Sequence, residues 1–565
     1  MLHSMNVKNL ILLAATLIPL ASQADEVIMD ANWKYRIVDK ANNKVLLIGS
    51  VNPLRPSTLS LPSETNYAGK TYTVTGIGRE AFANWTGLTS MWLPSSVKYI
   101  GEGAFKGCPL KEIHCQSEQP PTFSGKSRSN DVAIENMRLR DPFIFADTEQ
   151  YKYYTYMPRW VNGLPGIEKY ESYDLRRWHS TGWAWDHKEG FLGNCDNWAP
   201  DMYEYNGDYY IFVTFSRVFD TSNTDHWNLS NFEIKAGVAV LKSTDGPGGK
   251  FYPMFDAASG RLNHTPSNMM CIDGALYVDT DGQPWMIYSG ELTQYYDGRV
   301  YAQKMKKDLS DMEGEPHFLF SGSQSGWSRN SGYHDGHASY ITDAPFIFRD
   351  DATGKLILIW SSNSSTGYAV GQAISDSGKV TGPWRHLTPQ LNVDNGGHGM
   401  LFRDFEGKLM LSYHTTEYGA KVEHMCAREV TLANGQLQTL DMVNGYNVKS
   451  EDVNPSFDDG TFATAKVYIP RNIYMNYFLG EQWNDFTNLT LETAGVEDVE
   501  AAEQEPNYEI NGTTLTLLPG NAPSEVYGID GALLCTFSAD GGQYTFPRPG
   551  IYILKSATKA YKLKI

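Results

Sequence analysis

The sequence predicts an all-β protein: a five-bladed β-propeller with a small leucine-rich repeat domain and a C-terminal β-sandwich. Three observations predict it. One hairpin grammar, an apolar strand, a turn of Asp, Asn or Gly, and a second apolar strand, occurs five times at spacings of roughly 55 to 75 residues. The motif IGREAF at 77–82 returns as IGEGAF at 100–105, a period of 23 residues. The tail from Glu525 breaks into four short alternating strands.

The five hairpins are DPFIFADTEQYKYYTY from Asp141, APDMYEYNGDYYIFVTF from Ala199, IDGALYVDTDGQPWMIYSG from Ile272, DAPFIFRDDATGKLILIW from Asp343 and HGMLFRDFEGKLMLSYH from His398. More strand-like sequence follows, such as AGVAVLKST from Ala236 and GYAVGQAIS from Gly367, which is room for a four-stranded blade each time. If the inner strands run parallel around one axis, their first residues converge on one face. Those heads are Asp141, Trp198 or Asp201, Asp273, Asp343 and His398. Carboxylates gathered this closely cost energy through repulsion and desolvation, and the same repulsion separates an acid from a base.

The 23-residue period places one strand per repeat in a solenoid. Only about two repeats are visible, fewer than a solenoid needs to bury a common face. Domain limits are set at 1–24 for a secretory signal, 25–126 for the repeat, 127–450 for the propeller, 451–495 for a possible displaced repeat cap and 500–565 for the terminal sandwich. The signal reading rests on Lys8, the apolar run Leu10 to Ala21 and the small residues up to Ala24.

Composition narrows the partners. A net charge of −18 leaves no excess Lys or Arg to neutralise phosphates, which argues against nucleic acid and anionic membranes. The 24 Phe, 34 Tyr and 14 Trp suit short strands, and a neutral glycan remains open as partner. Six cysteines are sparse for an exported chain; Cys108 and Cys115 are read as a pair, as part of a metal site with His114, or as small buried side chains.

RDPF at Arg140, WAPD at Trp198, IDGALYVD at Ile272, TDAPF at Thr342 and GGHG at Gly396 together resemble glycoside hydrolase family 43, whose members are five-bladed propellers. The resemblance implies hydrolysis of arabinofuranosyl, galactofuranosyl or xylosyl linkages with inversion, and no organic cofactor. It implies Asp141 as general base and Asp273 as the carboxylate that orients the acid and raises its pKa. The family's acid is a Glu in a TEGP-like run, where this chain has Thr342-Asp343-Ala344-Pro345. Asp343 and Glu291, at the end of MIYSGE, are therefore both candidate acids. His398 matches a histidine that faces an ion on the propeller axis in many members, so calcium is expected there. Trp198, Asp201 and His337 are assigned to the substrate side.

The IG–AF repeats resemble short bacterial surface leucine-rich repeats, and ATAKVYIPRNIYMNYFLGEQWNDFTNLTLE at 463–492 is similar to their closing segment. The tail resembles sorting domains of type IX secretion, which implies that machinery as a partner. Together these imply a secreted or cell-surface glycosidase of a Gram-negative bacterium. A non-catalytic glycan-binding propeller or a surface adhesin is the alternative.

Overall fold

The computed structural model describes residues 26–51, 55–161, 164–186, 195–217, 236–254, 263–290, 294–334, 336–416, 422–440, 447–492, 507–528, 533–548, 551–556 and 559–565. The expected signal segment lies outside the described residues. Among the described residues, no helix is long and apolar enough to cross a membrane. The chain divides into two units, one built mainly from residues 127–453 and the other from residues 28–35, 39–126 and 454–565.

Among the described residues the first unit holds, besides two short two-stranded hairpins, five antiparallel sheets of three to five strands in chain order. Their inner strands are Ile144–Asp147, Cys195–Tyr205, Cys271–Val278, Asp343–Arg349 and Gly396–Arg403. Each inner strand pairs with the strand that follows it, as the hairpin grammar requires. Asn206 and Gly207, both with positive φ, make the two-residue turn of blade two. Second strands such as Pro284–Gly290 and Leu409–Thr415 are buried along their whole length, because neighbouring blades cover both faces. Large side chains fill those seams: Trp285, Phe320, Trp327 and Trp360 pack together between blades three and four. Blade five meets blade one where Phe405 stacks on Tyr153 with centroids 4.0 Å apart, and where the Ser412 hydroxyl donates to the Pro142 carbonyl at 2.7 Å.

One backbone device recurs in every blade. Asp141, Ala199, Asp273, Ala344 and His398 all have left-handed φ, between 46° and 58°. Four of the inner strands show a register shift at this point, between Trp198 and Asp201, Ile272 and Ala275, Asp343 and Phe346, and Gly397 and Met400. Each shift is a bulge that re-aims the head residue. Neighbouring groups receive the N–H groups of the heads. Asp141 N–H donates to His414 Nδ1 at 3.2 Å, Asp273 N–H to Thr214 Oγ1 at 2.9 Å, and His398 N–H to Ser361 Oγ at 2.8 Å. Each acceptor lies on the second strand of the preceding blade, blade five preceding blade one.

The register corrects one expectation. Asp343 does not stand level with Asp141, because the head of blade four is Ala344. Asp343 comes one residue earlier, level with Arg140, Trp198, Ile272 and Gly397. Blade two is likewise headed by Ala199, with Trp198 before it and Asp201 after the bulge.

In the second unit, parallel strands form two sheets. Ile77 lies beside Ile100 and Ile100 beside Phe123, which places a third rung at the same 23-residue spacing. The other sheet runs Thr58–Ser60, Ser90–Leu93, Glu112–Cys115, Lys466–Pro470 and Asn488–Glu492. Residues 454–456 supply the next rung, since Gly103 N–H donates to the Asn454 carbonyl and Phe105 N–H to the Ser456 carbonyl. Phe82, Phe105 and Phe457 stack through it at 5.4 Å spacings. Cys108 and Cys115 are buried free thiols, and His114 is sandwiched between Trp92 and Tyr468. Residues 507–565 form a three-stranded and a four-stranded sheet around Leu515, Val526, Phe537 and Leu554.

Ser361 is fully buried, and its hydroxyl receives a head amide. Replacing it with Ala strands that N–H, so Ser361→Ala is expected to lose about 1–3 kcal/mol, read as a lower urea midpoint.

Candidate active site

Three of the five heads carry side chains that meet. His398 Nδ1 lies 3.0 Å from Asp141 Oδ1 and 3.9 Å from Asp273 Oδ2, so one imidazole nitrogen bridges blades one and three. His414 Nδ1 stands 3.2 Å from Asp141 Oδ1 and 3.2 Å from the Asp141 amide nitrogen, and serves one of the two at a time. Asp273 Oδ2 also accepts the Ala344 N–H at 3.1 Å, which binds the heads of blades three and four. Asp201 accepts from the Tyr203 hydroxyl at 3.2 Å, and Asp343 from the Tyr368 hydroxyl at 2.7 Å. Arg140 Nε is 3.6 Å from Asp141 Oδ1, with its side chain 65% exposed. A small cavity at the heads is lined by Asp201, Asp273, His398, Pro142, Phe346 and Met400.

Burial and charge then divide the carboxyl groups. Burial pushes Asp141 up, but the His398 charge and the hydrogen bonds from His398 and His414 outweigh it, holding Asp141 well below the usual carboxylate range. Asp201 goes the other way: burial pushes it to about 8, with repulsion from Asp273 and Asp141 adding to that against the His398 charge. Asp273 is raised by burial and, against His398, by the like charges of Asp343 and Asp141. Asp343 is raised by burial, partly offset by the Tyr368 hydrogen bond and the His398 charge. Burial alone would lower His398; Asp141, Asp273 and Asp201 reverse that and raise it to about 10. The cluster thus holds one firmly ionised carboxylate, an imidazolium and carboxyl groups of raised pKa, of which Asp201, at about 8, keeps its proton at neutral pH. A base and an acid in one site need that division. The Asp141 side chain keeps 15% exposure, enough to touch water.

The structure brings Asp141, Asp201, Asp273, Asp343 and His398 together. Trp198 is 38% exposed on the strand position level with Asp343. His337 sits on the short hairpin Gly332–His334 and His337–Ser339, its ring stacked on Tyr296 at 4.7 Å. Glu291 lies outside the described residues. His398 offers one nitrogen toward carboxylates, whereas calcium takes six to eight oxygens. Among the described residues no group of three or more His, Cys, Asp or Glu is arranged to hold a metal. Sequence reasoning missed Tyr368 and His414. Both lie inside quoted strands, but each reaches the site from a third or second strand, and no spacing signals that.

Known proteins share this arrangement of sequence. The BspA type leucine rich repeat region matches residues 67–157 in six copies, its last part overlapping the antiparallel strands of blade one. The extracellular exo-α-(1→5)-L-arabinofuranosidase ArbA of Cellvibrio japonicus is 24% identical over 295 residues, which is 50% of this chain and 77% of that protein. The crystal structure of an endo-arabinase from Bacteroides thetaiotaomicron is 40% identical, covering 55% of this chain and all of that one, with a TM-score of 0.47. The α-L-arabinanase of Cellvibrio cellulosa is 19% identical, covering 53% of this chain and 94% of that one, with a TM-score of 0.38. The model of glycosyl hydrolases family 43 matches residues 132–438, from the edge strand of blade one to just past blade five. That is more than half of the sequence and takes in every head residue of the cluster, so the chain belongs to glycosyl hydrolases family 43 and is a glycoside hydrolase.

Proposed function

We propose that the chain removes arabinofuranosyl units from a polysaccharide, with inversion at the anomeric carbon. The observation that carries this reading is the His398 nitrogen set between Asp141 and Asp273, which holds Asp141 ionised beside carboxyl groups of raised pKa. Arabinofuranosyl stands ahead of galactofuranosyl and xylosyl because the curated relative is an arabinofuranosidase. That relative is extracellular and the repeat is of the BspA type, which supports export to the medium or cell surface. The terminal sheets are read as a sorting module for that route.

In this mechanism Asp141 takes a proton from the water that attacks the anomeric carbon. Asp343 gives a proton to the departing glycosidic oxygen; its pKa, raised to about 6, keeps it protonated in mildly acidic solution. Asp273 accepts the Ala344 N–H and so holds the backbone next to Asp343. One displacement by water, without a covalent intermediate, inverts the centre.

Hydrolysis of an aryl arabinofuranoside followed by NMR is expected to show the inverted anomer first; retention would refute the mechanism. Asp141→Asn is expected to lower kcat by about 10²–10⁴-fold while sugar binding persists. Removing the His398 charge moves the acidic limb of kcat/KM. The base must be ionised, so the rate falls as pH drops through the Asp141 pKa. His398→Gln raises that pKa, and the limb is expected to move up by about 1–3 pH units.

A further inference from the structure

We propose that Tyr368 and His414 form a stacked positioning pair that holds acid and base, Asp343 and Asp141, in fixed relation. The proposal rests on the reading of Asp343 as the acid. Tyr368 begins the third strand of blade four, Gly367–Ser375, and His414 lies near the end of the second strand of blade five, Leu409–Thr415. Their rings stack with centroids 5.5 Å apart and planes 12° from parallel. The Tyr368 hydroxyl donates to Asp343 Oδ2, and His414 Nδ1 contacts Asp141. The acid's carboxyl and the base residue, through its amide or its carboxylate, are thus each held by one ring of a single stack.

Two further features fix Tyr368. Its amide donates to Asn395 Oδ1 at 2.9 Å, pinning the strand start to the segment that leads into Gly396. At Gly397 a Cβ would meet Tyr368 Cε1 at 2.3 Å, so the second glycine of GGHG leaves the space that this ring fills. The hydroxyl also stays a donor. Burial and the charges of Asp343 and Asp141 raise its pKa well above the ordinary phenol value.

Aspartate is one methylene shorter than glutamate, so its carboxyl has less reach and its rotamer matters more. Fixing it against a rigid ring addresses that. The groups that face Asp343 are Tyr368, His398, Asp141, Asp273 and Arg140. Of these, Tyr368 is the one that donates a hydrogen bond to it, and such a bond favours the ionised form.

Tyr368→Phe keeps the ring and its stack but removes the donor. The acid must be protonated, so the rate falls as pH rises through its pKa. Losing the bond raises that pKa, and the alkaline limb of kcat/KM is expected to move up by about one pH unit. The same variant is expected to lower kcat by about tenfold with little change in KM. Gly397→Ala, which displaces the ring, is expected to move the same limb in the same direction. His414→Phe, which keeps the stack, is expected to leave it in place. An unmoved limb in Tyr368→Phe overturns the positioning role. Asp343→Asn tests the underlying reading separately: hydrolysis of poor leaving groups is expected to fall far more than that of activated aryl groups. Equal retention of both would remove Asp343 as acid, whatever Tyr368→Phe shows.

Discussion

A single imidazolium makes this cluster possible. Several carboxyl groups lie close together with little solvent, and unpaired buried charge costs several kcal/mol per ion. His398 meets Asp141 at 3.0 Å and Asp273 at 3.9 Å, with Asp201 acting on it through charge. Its pKa is raised to about 10, so its stabilising effect is complete below the unfolded value of about 6.5 and is lost as pH rises through 10. Asp141 is depressed, so its effect is present above about 3.9 and is lost as pH falls through the folded value. Between those limits both partners are charged and the pair contributes fully. Asp201, raised to about 8, acts the other way: it costs stability as pH climbs from the unfolded value of about 3.9 to about 8, and no more above that.

The backbone sets where such charges go. A non-glycine residue with left-handed φ costs about 1 kcal/mol or more, and five heads around the ring adopt it. Glycine would relieve the strain but carry no side chain. The heads are Asp, Ala, Asp, Ala and His, so three of them bring polar side chains to the cluster and two bring only a methyl group. Thr214, Ser361 and His414 receive amides from the heads of blades three, five and one. His414 therefore belongs to the scaffold and to the site at once.

What could be read in the sequence was what is local. Turn chemistry and alternation revealed five hairpins, and their starts pointed to Asp141, Asp273 and His398. The bulge defeated the same reasoning at Asp343, since an extra residue in one strand leaves no mark in a hydrophobic pattern. PFIF aligned on PFIF places Asp141 over Ala344, and the nearby acid drew the alignment one residue upstream. In the repeat unit the IG–AF signature gave two rungs. The rung at Asn454 to Phe457 keeps only its phenylalanine, which packing on Phe105 requires and which is too little to recognise by pattern. Tyr368 and His414 were out of reach because cross-blade pairing, not chain spacing, brings them in.

The one-residue displacement of Asp343 has a chemical sense. Residues at the heads are enclosed: Asp273 and His398 are buried and locked to each other by charge. The positions one step before the heads carry Arg140 and Trp198, both largely exposed, and Asp343, which is half-buried. A base and its electrostatic partner profit from enclosure, because low dielectric strengthens the fields that keep one group ionised. An acid has to meet a leaving oxygen that arrives from solvent and must recover its proton after each turnover. With Asp343 as the proposed acid, one step outward on a shorter side chain that accepts from Tyr368, both needs are met without adding a fourth charged head to the enclosed ring. Blade five supplies the room, because its residue at that same outward step is Gly397, and the ring of Tyr368 occupies the volume a side chain there would have taken.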